Sequence, residues 1–248
     1  MQKTIDLNAD VGEGYATDAA LLPYLSSANI ACGAHAGSRA VFLQTAAACL
    51  HHGVAVGAHP GFADRANFGR LPLPWSPTII YDLLMPQLEI AANCCEQLGV
   101  RLHHVKPHGA LYNMSAADAE LAACIAAVVY GFSPGLVLVG LSGSHSVVQS
   151  KAAGLRVAHE AFADRAYLAD GTLAPRSQKG AVLTNESDVA KQVLSLVLEN
   201  KAYTADGEAV PVVADTICLH GDGPHAVGFA QFIHFTLRQH GIGFKANQ

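Results

Sequence analysis

In "HHVKPHGALYN", residues 103–113, three histidines and a lysine crowd around one proline at the end of a short apolar run. Pro107 keeps the backbone extended there, so Lys106 and His108 stand where a strand hands over to the next segment. The architecture turns on how many other strands end in the same way.

Short apolar runs recur as "TIDLNAD", "ANIACGAH", "VAVGAHP", "LHHVKPH", "LVLVGLS", "RVAHEAF" and "TICLHGD", seven in all. Between them lie segments with helix-type apolar spacing, at residues 38–52, 77–98, 116–130, 187–200 and 224–240. Strands this short and apolar on both faces predict a parallel sheet covered by helices and joined by right-handed crossovers. An open doubly wound sheet gathers its ligand residues at one switch point, whereas in a barrel nearly every strand contributes from its carboxyl end. Here Asn8 and Asp10 follow the first strand, His35 the second and His59 the third. Lys106 and His108 follow the fourth, Glu160 and Asp164 the sixth, and His220 and Asp222 the seventh. The pattern predicts an α/β protein, a seven-stranded parallel (β/α) barrel spanning residues 1–248 as one domain.

Local signals set the helix register. Ser115 is placed to cap a helix running through "AADAELAACIAAVV", Gly131 to end it, and Pro224 to start the last helix. The connection 161–186 is about twice the usual ceiling for a structureless loop, which predicts a substrate lid or minor structure of its own. Ser142 and Ser144, beside His145 in "GLSGSHS", form no GxSxG elbow and read as turn and cap residues. Neither this turn nor "HGDGPHA" matches a nucleotide fingerprint, although both are Gly-bearing turns before helices.

Composition narrows the function classes. The 248 residues are 51% hydrophobic, long enough to bury about 70% of the unfolded surface. A net charge of −5 with scattered Lys and Arg argues against nucleic acid as the main partner. No apolar run approaches the ~20 residues of a membrane helix, and the start lacks a signal-peptide pattern, so the expected location is the cytoplasm. The six cysteines lack CxxC spacing and read as buried thiols, Cys32 included.

Polar groups at parallel strand ends converge on one mouth, where helix amino termini also aim partial positive charge. Lys106 in an apolar barrel requires Asp10, Glu160 or an anionic ligand as a partner. Asp10 and Glu160 are the alternatives for orienting a water, and His59 and His108 for general acid–base work. His51, His52, His234 and His240 fall on predicted helices and take no role. Of His103 and His104, one faces inward and one outward by strand alternation. His35, His59 and Asp10 form a candidate metal set of two imidazoles and one carboxylate.

Together, "DLNADVGEG", "ANIACGAHAG", "GAHPGFADRANFGR", "VKPHGALYN", "EAFADRAYLADGTLAPR" and "CLHGDGPHAV" resemble the LamB/YcsF family, the A subunits of 5-oxoprolinase, from the first strand to the last helix. The resemblance implies a barrel similar to that of polysaccharide deacetylases and glycosidases. It implies ATP-dependent opening of 5-oxo-L-proline to L-glutamate together with two other 5-oxoprolinase subunits. It singles out Asn8, Asp10, Glu13, Asn29, His35, His59, Asp64, Arg70, Lys106, His108, Tyr112, Glu160, Arg165, His220 and Asp222. With no phosphate fingerprint in the chain, the implied ATP is expected on the partner subunits. The competing readings are a stand-alone metal-dependent amidohydrolase or deacetylase acting on a sugar or small amide, and a non-catalytic metabolite-sensing subunit.

Overall fold

The computed structural model describes residues 3–219 and 226–247. In chain order the first half runs β1 (Thr4–Val11), α1 (Asp18–Leu21), β2 (Ser27–Ala31), α2 (Arg39–His52), β3 (Ala55–His59), α3 (Pro77–Gln97), β4 (His104–Val105), α4 (Gly109–Ala117) and α5 (Ala119–Phe132). There follow β5 (Val137–Leu141), α6 (His145–Ala152), β6 (Arg156–Phe162), α7 (Glu186–Glu199), β7 (Lys201–Tyr203), β8 (Ala209–Pro211), β9 (Thr216–Cys218), α8 (Ala226–Gln239) and β10 (Gly243–Phe244). Among the described residues β1 to β6 and β9 pair in that order, all parallel, and β9 pairs back onto β1 to close a barrel of seven strands. β7 and β8 form a separate antiparallel hairpin, and β10 adds to the start of β1.

The expectation that the strands are apolar on both faces needs correction. Alternation sends Leu7, Ala9 and Val11 of β1 outward into the large apolar core beneath the helices. Asp6, Asn8 and Asp10 go inward. Side chains from strands that are not neighbours meet inside: Asn8 Nδ2 donates to Glu160 Oε1 at 3.1 Å, and His104 Nε2 lies 2.8 Å from Asn29 Oδ1. Only the lumen permits such contacts. Below them Ser26, Ser27 and Thr216 all donate to the buried Asp6 carboxylate. Polar groups are tolerated here because partners replace the lost water.

Side-chain caps explain the starts of α2, α3, α5 and α7. Ser38 and Ser76 accept backbone N–H bonds at the starts of α2 and α3, and Gly53 ends α2 with φ of 69°. The single helix expected over residues 116–130 is instead two, α4 and α5, bent by 118°. Asp118 makes the break, because its Oδ1 accepts from Glu120 N–H at 2.9 Å and Leu121 N–H at 3.1 Å. Ser115 is no cap. It lies inside α4, where its hydroxyl bonds Tyr112 O and Ser146 Oγ. Gly131 does not end α5, which runs on to Phe132. α4 begins at Gly109, whose φ of +54° and 2.7 Å clearance from Gly69 O at the Cβ position require a residue without a side chain.

The long connection after β6 carries minor structure, with bridges Arg165↔Val182, Tyr167↔Leu173 and Tyr167↔Thr204. Gln192 of α7 ties its start down by donating to Phe162 O and Arg165 O. Among the described residues no single helix is long and apolar enough to cross a membrane.

Candidate active site

The carboxyl ends of β1, β4, β6 and β9 deliver an ion network. Lys106 Nζ lies 2.9 Å from Asp10 Oδ1, 2.9 Å from Glu160 Oε1 and 3.3 Å from Cys218 Sγ. An ammonium has three protons, and these contacts account for all of them. The Tyr112 and Phe162 rings pack on the ammonium at 5.8 and 5.7 Å. Burial alone would discharge Lys106, but Asp10, Cys218 and Glu160 hold its pKa well above the ordinary value. Burial likewise opposes charge on Asp10, and the His59 and Lys106 cations overcome it, keeping the carboxyl well below its usual range. Glu160 Oε2 and the Tyr112 hydroxyl are buried and complete no hydrogen bond.

A second cluster adjoins the first through His59. His59 Nδ1 faces Lys106 O at 2.8 Å and His108 Nε2 faces Phe68 O at 2.8 Å. A carbonyl accepts only, so both of those nitrogens carry hydrogen. The opposite nitrogens, His59 Nε2 and His108 Nδ1, then confront each other at 3.0 Å. Glu13 Oε1 sits 3.7 Å from the first, 3.2 Å from the second and 3.1 Å from His35 Nε2. The His35 and His108 rings stack at 3.7 Å, and His35 Nδ1 is buried without a partner.

Two lone pairs pointing at one another are repulsive unless a proton or a cation lies between them. Burial resists charge on His59, yet Asp10, with Oδ2 at 3.3 Å, raises its pKa above the ordinary value. Glu13, despite burial, is held at about 2 by its contacts with His108 and His35 and by the charge of His59, while burial drives His35 down to about 4. Ligand atoms of Glu13, His35, His59 and His108 lie within 4.8 Å of one another, which makes them a possible metal-binding cluster. Three imidazoles and a carboxylate, with two of the imidazoles oriented by carbonyls on their far sides, suit zinc and similar divalent ions. Asp10 of the sequence-derived set touches only its edge, and Glu13 and His108 complete it.

Above both clusters lies a cavity of about 230 Å³ lined by Asp10, His59, Lys106, His108, Tyr112 and Phe162, with Arg70, Arg165 and Arg176 also on its wall. Arg70 Cζ stands 5.1 Å from the Phe68 ring centroid, and the buried Arg165 donates to Ala174 O and Ala181 O. Asn8 and Asn29 lie beneath, supporting Asp10 and Glu160. Asp64 instead caps the turn 65–67. Ser144 begins α6 in the cap position, its hydroxyl buried without a partner. His220 and Asp222 lie outside the described residues. The six cysteines are free thiols, five of them buried. Sequence reasoning misses Asp6, His104, Arg176, Thr216 and Cys218. For four of them a signal is present: Asp6, His104, Thr216 and Cys218 all share the inward phase of their strands.

Comparison with known proteins places the chain in a family and agrees with the fold. A protein from Shouchella clausii, named as the A subunit of 5-oxoprolinase, is 47% identical over 247 residues, covering 98% of this chain and 98% of the relative. The crystal structure of a lactam utilization protein from Thermus thermophilus superposes with a TM-score of 0.94 at 43% identity, covering 98% of this chain and all of that one. A family 4 carbohydrate esterase from Streptomyces lividans covers 99% of this chain and 93% of its own, with a TM-score of 0.56 at 11% identity, a likeness of fold alone. The LamB/YcsF family model matches residues 5–248, and the chain belongs to that family.

Proposed function

We propose that this chain carries the ring-opening step of a 5-oxoprolinase, the hydrolysis of 5-oxo-L-proline to L-glutamate, driven by ATP and performed with two other subunits. The observation that supports it most is one small cavity in which the Asp10–Lys106–Glu160 network and the His59–His108 pair lie beneath arginines. At about 230 Å³ it falls below the ~300 Å³ lower end of drug-sized pockets, in keeping with a small ring bearing one carboxylate. Arg165, Arg176 and Arg70 are the cations suited to that carboxylate.

A five-membered lactam is an unstrained amide, so hydrolysis needs an activated carbonyl, a placed water and a proton for the leaving nitrogen. In this reading Lys106 keeps Asp10 ionised and Asp10 takes a proton from the water. The water oxygen bonds to the carbonyl carbon, the carbon–nitrogen bond breaks, and His59 or His108 protonates the nitrogen that becomes the amine of glutamate. Activation by ATP places a phosphoryl group on the carbonyl oxygen, so that ring opening leaves an acyl phosphate for a second water to split into the carboxylate and inorganic phosphate. That activation is assigned to the partner subunits, since this chain has no phosphate-binding fingerprint.

The Glu13, His35, His59 and His108 cluster favours a second reading, a metal-dependent amide hydrolase acting alone. A bound divalent ion would supply Lewis-acid polarisation and an acidified water. The same imidazole nitrogens cannot both hold a cation and carry the transferred proton, so the two readings separate. The first predicts glutamate release only with partners and ATP present, and no ATP hydrolysis by the chain alone. Amide hydrolysis by the metal-loaded chain without ATP, abolished by a chelator, would establish the second in its place.

A further inference from the structure

We propose that His104 is a positioning residue for the Asp10 carboxylate, acting through the Asn29 carboxamide; this deepens the reading of Asp10 as part of the reacting site and rests on it. Asn29 Nδ2 lies 2.8 Å from Asp10 Oδ1 and 2.8 Å from Asn8 Oδ1. Both are acceptors, so the amide must be turned with its NH2 toward them and its oxygen away. That oxygen meets His104 Nε2 at 2.8 Å. His104 Nε2 therefore bears the hydrogen, and its Nδ1, which lies 3.1 Å from His103 Nδ1, is left without one. The hydrogens point the same way from His104 through Asn29 to Asp10.

The arrangement locks the carboxamide. A flipped Asn29 would set its oxygen against Asp10 and its NH2 against the donor of His104, two repulsive contacts in a buried space. His104 itself is buried, and burial together with the nearby His103 and Lys106 keeps it neutral, its pKa well below the ordinary value. The backbone makes room for it: Gly57 pairs beside it on β3, and a Cβ there would stand 2.0 Å from His104 Nε2. Lys106 and Asn29 both bind Asp10 Oδ1, which leaves Oδ2 turned toward His59. Fixing that orientation is the task assigned to His104. No contact of its own reaches the cavity.

Two amide replacements separate this role from simple packing. His104→Gln carries an amide out to where Nε2 stood, whereas His104→Asn keeps one near Nδ1 and falls short of Asn29. In the assembled three-subunit complex we expect His104→Asn to lower kcat roughly tenfold with KM nearly unchanged, and His104→Gln to stay within about threefold of wild type. In an Asn29→Ala background His104→Asn should cost nothing further, because its effect passes through Asn29. Equal kcat for the two replacements, or additive losses in the double variant, would overturn the proposal. Nitrogen NMR of the wild-type chain gives a check free of folding defects: the Nε2–H tautomer of His104 is expected, and the Nδ1–H tautomer would contradict it. A wild-type complex that releases no glutamate would count against the proposed activity instead, and the tautomer would still judge His104.

Discussion

Lys106 and His59 stand side by side at the barrel mouth, yet their surroundings are opposites. Lys106 directs its three protons at Asp10, Glu160 and Cys218, so every bond its ammonium can make is made, and the unpartnered atoms of that half are Glu160 Oε2 and the Tyr112 hydroxyl. His59 faces the acceptor nitrogen of His108 across 3.0 Å, with Glu13 close by and His35 Nδ1 unpartnered, so the other half is complete only with an added proton or cation. The contrast teaches that one half of the site is preorganised and the other responds to what it binds.

The largest expected effect breaks the Lys106 half. Lys106→Met leaves the half-buried Asp10 and buried Glu160 carboxylates without the ammonium they share, which should cost about 3–5 kcal/mol in urea unfolding. Glutamate release by the assembled complex should fall at least about 100-fold. Near-normal turnover would remove Lys106 from the chemistry. His35→Gln probes the other half: stability should change less, while affinity for zinc in competition titrations should fall at least about tenfold. Equal destabilisation by the two substitutions would erase the distinction.

Acidity sharpens the contrast further. Burial holds His35 at about 4 and His104 well below its ordinary value, whereas an unfolded chain takes up those protons near pH 6.5. Their contribution to stability is therefore complete above about pH 6.5 and is lost as the pH falls toward 4, on the order of 2 kcal/mol for His35 between pH 7 and pH 5. His59, raised by Asp10 against the effect of burial, works in the opposite sense and stabilises at low pH. Urea midpoints at the two pH values should show a net loss on acidification, smaller in His104→Gln. The smallest effect lies outside both halves: Asp118→Ala should cost about 1 kcal/mol through the lost cap of α5 and leave turnover unchanged.

The barrel was legible because polar residues at the ends of many strands point to a closed ring, and His59, Lys106 and His108 were legible for the same reason. The inward polarity of the strands was not. "TIDLNAD" alternates cleanly, but an Asp or Asn inside a barrel reads as unfavourable until its partners on other strands are known, and those lie up to 210 positions away, as Thr216 does from Asp6. Glu13 stood out only through family resemblance, since it sits on a loop beyond β1 where spacing carries no signal. Ser115 is the cap that the sequence suggests, and Asp118 is the one the structure shows. The choice fell to Asp118 because the hydroxyl of Ser115 is already engaged with Ser146, a contact 31 positions distant.

The claim that these motifs form one lactam site is tested most directly by a crystal structure of the chain with 5-oxo-L-proline bound. The ring is expected in the cavity over Asp10 and His108, its carboxylate toward Arg165 and Arg176. A ring bound instead in the groove lined by Ser142, Ser144, His145 and His159, with this cavity empty of it, would refute the claim.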